Sequence, residues 1–226
     1  MTVYLAQAFP EAQIYGVDLT PIPQRLATTQ LSNIRYIQGD VHDLLAKGHQ
    51  DLQAGAFGYI YQRLLFMTTT DWSTYFANLA GLLTPGGWLE CAEGSFHICH
   101  TNNEHASVPV GDWYDKLRTD AQALGIDIEL GDSLEQYLNS TPGLQVVDVN
   151  RYKGELRHKD SEPELWGITK QFPALLPLMA RKICGAQRST EEVKEIVKGI
   201  ERYINEDWRE GDHFAVHAVV AQRKSL

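Results

Sequence analysis

No stretch of this sequence approaches the roughly 20 consecutive apolar residues of a membrane-spanning helix, so a membrane-embedded chain is not expected. Positive charge is scarce. Twenty Lys and Arg stand against 29 Asp and Glu, a formal net charge of −9. Nucleic acid and anionic membrane surfaces both call for a basic face, so neither is the expected partner. Cysteine is sparse too. Cys91, Cys99 and Cys184 form no CxxC pair, and an odd count gives no disulfide framework. Free thiols in a reducing compartment are the plain reading. The first 13 residues lack a basic leader segment and a cleavage pattern, so a cytoplasmic location is expected. There is no internal repeat and no low-complexity segment.

What is present suits one soluble globular domain of 226 residues, with 43% hydrophobic and 22% charged residues. β-rich and helical patterns alternate, which points to a mostly parallel sheet with helices on both faces. Thr2 to Phe9 reads as the end of a helix stopped by Pro10, and residues 13–18 as a short strand ending in Asp18. A weak helix follows Pro21 and Pro23, then a strand over residues 33–38 closed by Gly39 and Asp40. Phe57 to Gln62 is a third strand. Asp71 caps a helix from Trp72 to Leu83, and a turn at Pro85, Gly86 and Gly87 leads to a strand from Trp88 to Ala92. Further on, helices are expected over 110–124, 132–139 and 162–186, the last interrupted by Pro173 and Pro177. Residues 144–152 read as β. Ser189 and Glu192 form a capping box for a helix reaching about Asp207, and 213–222 is a final strand.

Three features bear on chemistry. Asp18 ends a strand before a loop, where nucleotide-binding α/β folds place an acid to accept both ribose hydroxyls. Asp40 ends the next strand, where its carboxylate suits an adenine amino group and the amide of Val41 a ring nitrogen. The two acids are one strand–helix unit apart and should share one edge of the sheet. Residues 83–90 (LTPGGWLE) carry a helix through a tight turn into a strand, a structural motif whose glycines permit positive φ and close packing.

In this order, residues 9–22 (FPEAQIYGVDLTPI), 33–40 (NIRYIQGD), 59–63 (YIYQR), Asp71 with Trp72, and 83–90 resemble the class I methyltransferases. Residues 189–193 (STEEV) and the last strand before Arg223 complete a closer resemblance to the LaeA-like methyltransferases of fungal secondary metabolism. The resemblance implies a Rossmann-like sheet of order 3-2-1-4-5-7-6 and an S-adenosylmethionine site. Asp18 would hold the ribose and Asp40 with Val41 the adenine. Arg63 would lie beside the methionine part. It also implies a first strand and a glycine-rich loop before the helix that ends at Phe9. Met1 already stands inside that helix, so both are expected to be absent. The cofactor is then either none or adenosylmethionine at an incomplete site. Losing the central strand would expose backbone groups on both its neighbours. A homodimer, with or without strand exchange, is therefore the expected assembly. The whole chain, 1–226, is read as one domain, with residues 1–95 as the remnant of the cofactor half and 96–226 as the substrate and lid half.

Glu93, His97, His100 and His105 follow the strand that ends at Ala92, in a loop region that faces the acceptor in this fold. Glu93, His97 and His100 are candidate acid–base groups, against the alternative of a polar surface loop. No metal site is expected, because the spacing gives no tight ligand cluster. Trp113, Tyr114 and Trp166 are candidates to line a substrate cavity, and Trp166, Phe172 and Met179 to form a lid. Core packing is the competing reading for all of them. His213 and His217 share one face of a strand and are expected to be buried and hydrogen-bonded. Three functions fit. The favoured one is an enzyme on a methyltransferase fold that has lost methyl transfer. It would cyclise or isomerise a natural-product intermediate, or carry it through a pericyclic step. The second is an adenosylmethionine-dependent O-, N- or C-methyltransferase of a small molecule. The third is a non-catalytic partner of an active methyltransferase.

Overall fold

The computed structural model describes residues 1–22, 31–67, 70–100, 103–107, 110–155 and 166–225, with the backbone alone at 103–107, 155 and 166–171. The weak helix expected after Pro23 and the start of the helix expected at Glu162 lie outside the described residues. The chain divides into two compact units, Met1–Ala56 and Phe57–Leu226. The boundary expected at residue 95 falls inside a strand whose pairing runs across it from Trp88 to His100.

In the first unit, α1 (Thr2–Ala8) precedes β1 (Ile14–Asp18), β2 (Ile34–Gln38) and the short α2 (Val41–Ala46). β1 and β2 are parallel and in register, Ile14 opposite Ile34 and Asp18 opposite Gln38. Asn33 ties the helix to the sheet: its side-chain amide donates to the carbonyls of Ala6, Phe9 and Ala12. Gly16 is needed here because a Cβ would stand 2.8 Å from the Tyr36 ring. Ala6, Ile37 and Leu52 are the buried apolar residues of this unit.

The second unit holds β3 (Phe57–Arg63), α3 (Trp72–Leu82), β4 (Leu83–His100), β5 (Asn103–Ser107), α4 (Asp112–Ala123), α5 (Leu130–Ser140), β6 (Leu144–Glu155), α6 (Trp166–Cys184), α7 (Thr190–Arg202), a π-helical turn at Tyr203–Asp207, and β7 (Asp212–Arg223). The sheet order is β3-β4-β7-β6, with β5 pairing β4 as a hairpin. β3 is parallel to β4, and β7 is antiparallel to both β4 and β6. The implied strand order is thus met in two pieces, β2-β1 and β3-β4-β7-β6, rather than as one sheet. Among the described residues, β1 and β3 each pair on one side only.

Two expectations about elements are corrected. First, β4 does not end at Ala92 but runs to His100, because β7 pairs with it from Trp88 to His100. Glu93, His97 and His100 therefore sit on a strand, not in a loop. Second, α6 is not interrupted by Pro173 and Pro177, which lie inside it. Each proline removes a helical hydrogen bond. Even so, Phe172, Leu176, Ala180 and Ile183 form a buried stripe at helical spacing that keeps the helix on the core. The expected turn at 85–87 appears as a bulge within β4. Phe57 pairs Leu83 but Tyr59 pairs Trp88, so the intervening residues loop out. Gly86 has φ +78°, and a Cβ on Gly87 would lie 2.9 Å from the Thr84 carbonyl oxygen.

The core of this unit lies between the sheet and α3 and α5, through Phe76, Leu79, Leu89, Leu130, Leu134 and Leu138. A second apolar cluster joins α4, α6 and α7. No helix among the described residues is long and apolar enough to cross a membrane.

Candidate functional site

In the first unit the two acids stand where the sequence places them. Asp18 and Asp40 follow neighbouring parallel strands at the same edge, and both are exposed. Asp18 Oδ1 accepts from the amide and the hydroxyl of Thr20, each at 2.8 Å. Asp40 caps α2, accepting from the His42 amide at 2.8 Å. Val41 is the first residue of that helix, and a first-turn amide has no acceptor within its own helix. This set of an open carboxylate, a second carboxylate and a waiting amide fits the adenosine half of adenosylmethionine. Arg63 ends β3 in the second unit and is exposed.

In the second unit Glu93 is wholly buried. Its Oε1 accepts from the Leu65 amide at 2.8 Å and from the Gln62 side chain, while Oε2 has no hydrogen-bond partner among the described residues. Leu64, just before that amide, has φ +54°, where the chain turns and the Leu65 amide faces inward. Burial pushes the Glu93 carboxyl up to about 7 despite these two donors. Glu93 thus ties the end of β3 and the loop after it to β4.

His97 lies elsewhere on β4, at a bulge. Ser95 pairs Ala215 but Ile98 pairs Phe214, so Phe96 and His97 are looped out of the ladder. The Phe96 amide bonds the Ile128 carbonyl at 3.0 Å, which joins the bulge to the segment leading into α5. Bulges of this kind re-aim a side chain. Here His97 Nδ1 comes to 3.0 Å from Asp132 Oδ2 and 3.3 Å from Ser95 Oγ. The Ser95 hydroxyl donates to the same Asp132 oxygen. On the other side of the carboxylate, His217 Nε2 lies 3.1 Å from Asp132 Oδ1, at ion-pair distance though out of line for a hydrogen bond. Burial alone would push Asp132 up, but His217, His97 and Ser95 together hold it well below the usual carboxylate range. The Asp132 contact in turn raises His97, against the opposing effect of burial.

His97 and His100 are both acid–base candidates from the sequence, and the structure gives them different carboxylate partners. His100 Nδ1 is 3.0 Å from Oδ1 of Asp212, whose other oxygen accepts from the Tyr203 hydroxyl and the Arg209 amide. Asp132 and Ser95 carry no local sequence signal of a site. His217 was expected only to be buried. His213, expected likewise, is buried with Nδ1 3.0 Å from the Gly211 carbonyl. The side chain of His105 lies outside the described residues.

Trp113 is 3% exposed, packed on Gly199 and edge-on to Tyr114, and near Tyr203. The Tyr114 hydroxyl donates to Glu129 at 2.6 Å. Both occupy the core positions that the amphipathic pattern of α4 also allows. The side chain of Trp166 lies outside the described residues. Phe172 is stacked between Phe96 and Phe214 at 5.4 and 4.2 Å, and Met179 is buried. Two open surface hollows of about 520 and 490 Å³ are lined by groups such as Lys116 with Glu195, and Arg202 with Trp208, away from the Asp132 cluster. No group of three or more His, Cys, Asp or Glu able to hold a metal occurs among the described residues. The three cysteines are buried and form no disulfide.

Residues 1–87 match the family model of a methyltransferase domain. The chain is 27% identical over 177 residues to the trans-aconitate 2-methyltransferase of Deinococcus radiodurans, covering 78% of this chain and 59% of that one. It is 26% identical over 151 residues to the secondary metabolism regulator laeA of Coprinopsis cinerea, covering 63% of this chain and 36% of that one. The likeness to the LaeA-like proteins is thus distant, and the chain spans little more than half the length of the first relative. Among solved structures, the chain superposes on a sarcosine dimethylglycine methyltransferase from Galdieria sulphuraria with TM-score 0.54 at 13% identity, covering 98% of this chain and 73% of that one. It superposes on the 4+2 cyclase SpnF with TM-score 0.51 at 15% identity, covering 97% and 70%. The chain has the class I methyltransferase-like α/β fold, with a methyltransferase domain matched over residues 1–87.

Proposed function

We propose that this protein is an adenosylmethionine-dependent methyltransferase of a small molecule in fungal-type secondary metabolism. One observation carries the reading: Asp18 and Asp40 end adjacent parallel strands at one edge, with the Val41 amide beside them at the start of α2. Asp18 holds the ribose hydroxyls, and Asp40 with Val41 holds the adenine. When bound, the cofactor supplies a methyl group on a cationic sulfur. The family match over residues 1–87 and the methyltransferase relatives support the same reading.

A second reading has its own support. The Ser95, His97, Asp132 and His217 cluster is an acid–base set that needs no cofactor. An enzyme of this kind would isomerise or cyclise its substrate, the activity named for one of the solved structures that shares the fold. Under either reading, the one-sided pairing of β1 and β3 suits a strand supplied by a second copy.

Calorimetric titration with adenosylmethionine and adenosylhomocysteine decides between the two. Micromolar binding that weakens at least about tenfold, or about 1.4 kcal/mol, in Asp18→Ala and Asp40→Ala is the expected result. Absence of binding by the folded protein removes the first reading and leaves the second. The solution mass, measured on the same samples, tests the dimer.

A further inference from the structure

We infer that His97 is the general base of this protein, held by Asp132, with Ser95 and His217 as positioning residues, and that it takes the proton of a weakly acidic hydroxyl, an enol or a phenol, on a small-molecule substrate. The inference rests on the reading of the chain as a small-molecule enzyme and holds for both forms of that reading.

The tautomer follows from the neighbours. Ser95 spends its one hydroxyl proton on Asp132, so the Ser95 oxygen facing His97 can only accept. Asp132 is an acceptor as well. His97 Nδ1 therefore faces two acceptors and carries the ring proton, which leaves the lone pair on Nε2. No group among the described residues bonds His97 Nε2. The side chain is 15% exposed, so this nitrogen is within reach of a ligand while the ring stays fixed.

Three features hold the arrangement. The bulge loops His97 out of the ladder at the point where it meets Asp132. Asp132 lies in the first turn of α5, where the helix dipole favours a carboxylate. Gly131, just before it, brings the helix against the sheet: a Cβ there would stand 2.9 Å from the Glu93 carbonyl oxygen and 3.0 Å from the His217 ring. The charged and titratable groups around His97 come from four elements: Asp132 on α5 with Glu129 at its cap, His217 on β7, Arg151 on β6, and Ser95 on its own strand. The acidic groups on α5 raise His97, and Arg151 opposes them.

In the reaction the substrate O–H bond breaks and its electron pair stays on oxygen, while the proton forms an N–H bond at Nε2. Asp132 stays ionised and stabilises the imidazolium. It positions the base without itself taking the proton. An imidazole backed by a carboxylate at 3.0 Å is a base of moderate strength, so it suits an enol or a phenol better than the far less acidic aliphatic alcohol.

The test uses diethyl pyrocarbonate, which acylates neutral imidazole, with peptide mass mapping of His97 across pH. His97 is expected to be acylated with a midpoint above the ordinary imidazole value of about 6.5, and this midpoint should fall in Asp132→Asn. Failure of His97 to react while His100 does, or an unchanged midpoint in folded Asp132→Asn, overturns the proposal. Should Asp132→Asn not fold, nuclear magnetic resonance titration of the wild-type His97 ring gives the same decision: a midpoint at or below the ordinary value overturns it. For the substrate class, 4-nitrophenol is expected to slow His97 acylation several-fold where nitrobenzene does not. Equal effects from the two, or none from either, overturn the hydroxyl assignment. None of these readouts depends on adenosylmethionine, so failure of cofactor binding leaves them standing.

Discussion

Gly131 on α5 approaches Glu93 on β4 so closely that a Cβ would lie 2.9 Å from the Glu93 carbonyl oxygen. That oxygen belongs to a strand paired on both sides and cannot give way as a flexible side chain would. Gly131→Ala should therefore push α5 off the sheet and destabilise the protein by about 1–3 kcal/mol, read as a lower urea midpoint. Because Asp132 is the next residue, His97 should also lose its raised titration midpoint.

Stability should depend on pH through Glu93. Its carboxyl is raised from 4.5 in the unfolded chain to about 7 in the folded protein, chiefly by burial. Between those values the native state holds a proton that the unfolded state has released. The contribution of Glu93 is therefore fully present below pH 4.5 and is lost as pH rises through 7. Urea denaturation should show a decline on the order of 3 kcal/mol over that interval. Glu93→Gln should flatten this part of the curve. His97, also raised, adds a loss in the same direction at its own midpoint, and Asp132, lowered, adds the opposite slope only in acid.

Arg188 clasps Asp120 of α4 with two contacts, at 2.5 and 2.9 Å, and the Asp120 side chain is 7% exposed. Arg188→Ala would leave a buried carboxylate unpaired beside Cys184, at a cost of about 3 kcal/mol. The double change Arg188→Ala with Asp120→Ala should recover part of that loss, which a denaturation cycle would measure.

At the start of α7, Ser189 and Glu192 bond each other's backbone amides. Ser189→Ala removes one half of this box and should cost about 1 kcal/mol. Thermal unfolding would show it, with no change in the His97 midpoint.

Much of the fold was legible because local patterns encode it. The strand ends at Asp18 and Asp40, the Asp71 cap, the capping box at Ser189 and the helical stripes of α3, α4 and α7 are all matters of residues within one turn or one strand. The length of β4 was not legible. Glu93, Gly94 and Ser95 have little intrinsic preference for a strand, and they are extended because β7, more than a hundred residues later, supplies their hydrogen bonds. Likewise two prolines argue for a break in α6, and only the burial of its other face overrides them.

The sequence by itself determined the order of elements, the acidic charge, the pair of strand-end aspartates and the likeness to class I methyltransferases, since each rests on adjacent residues or their periodicity. Only the tertiary structure decided that His97 belongs with Asp132, Ser95 and His217 rather than with His100. That choice depends on a bulge, a glycine contact and three segments far apart in the chain, and the physical reason is that a carboxylate can be shared by two histidines only where packing brings helix and strands together.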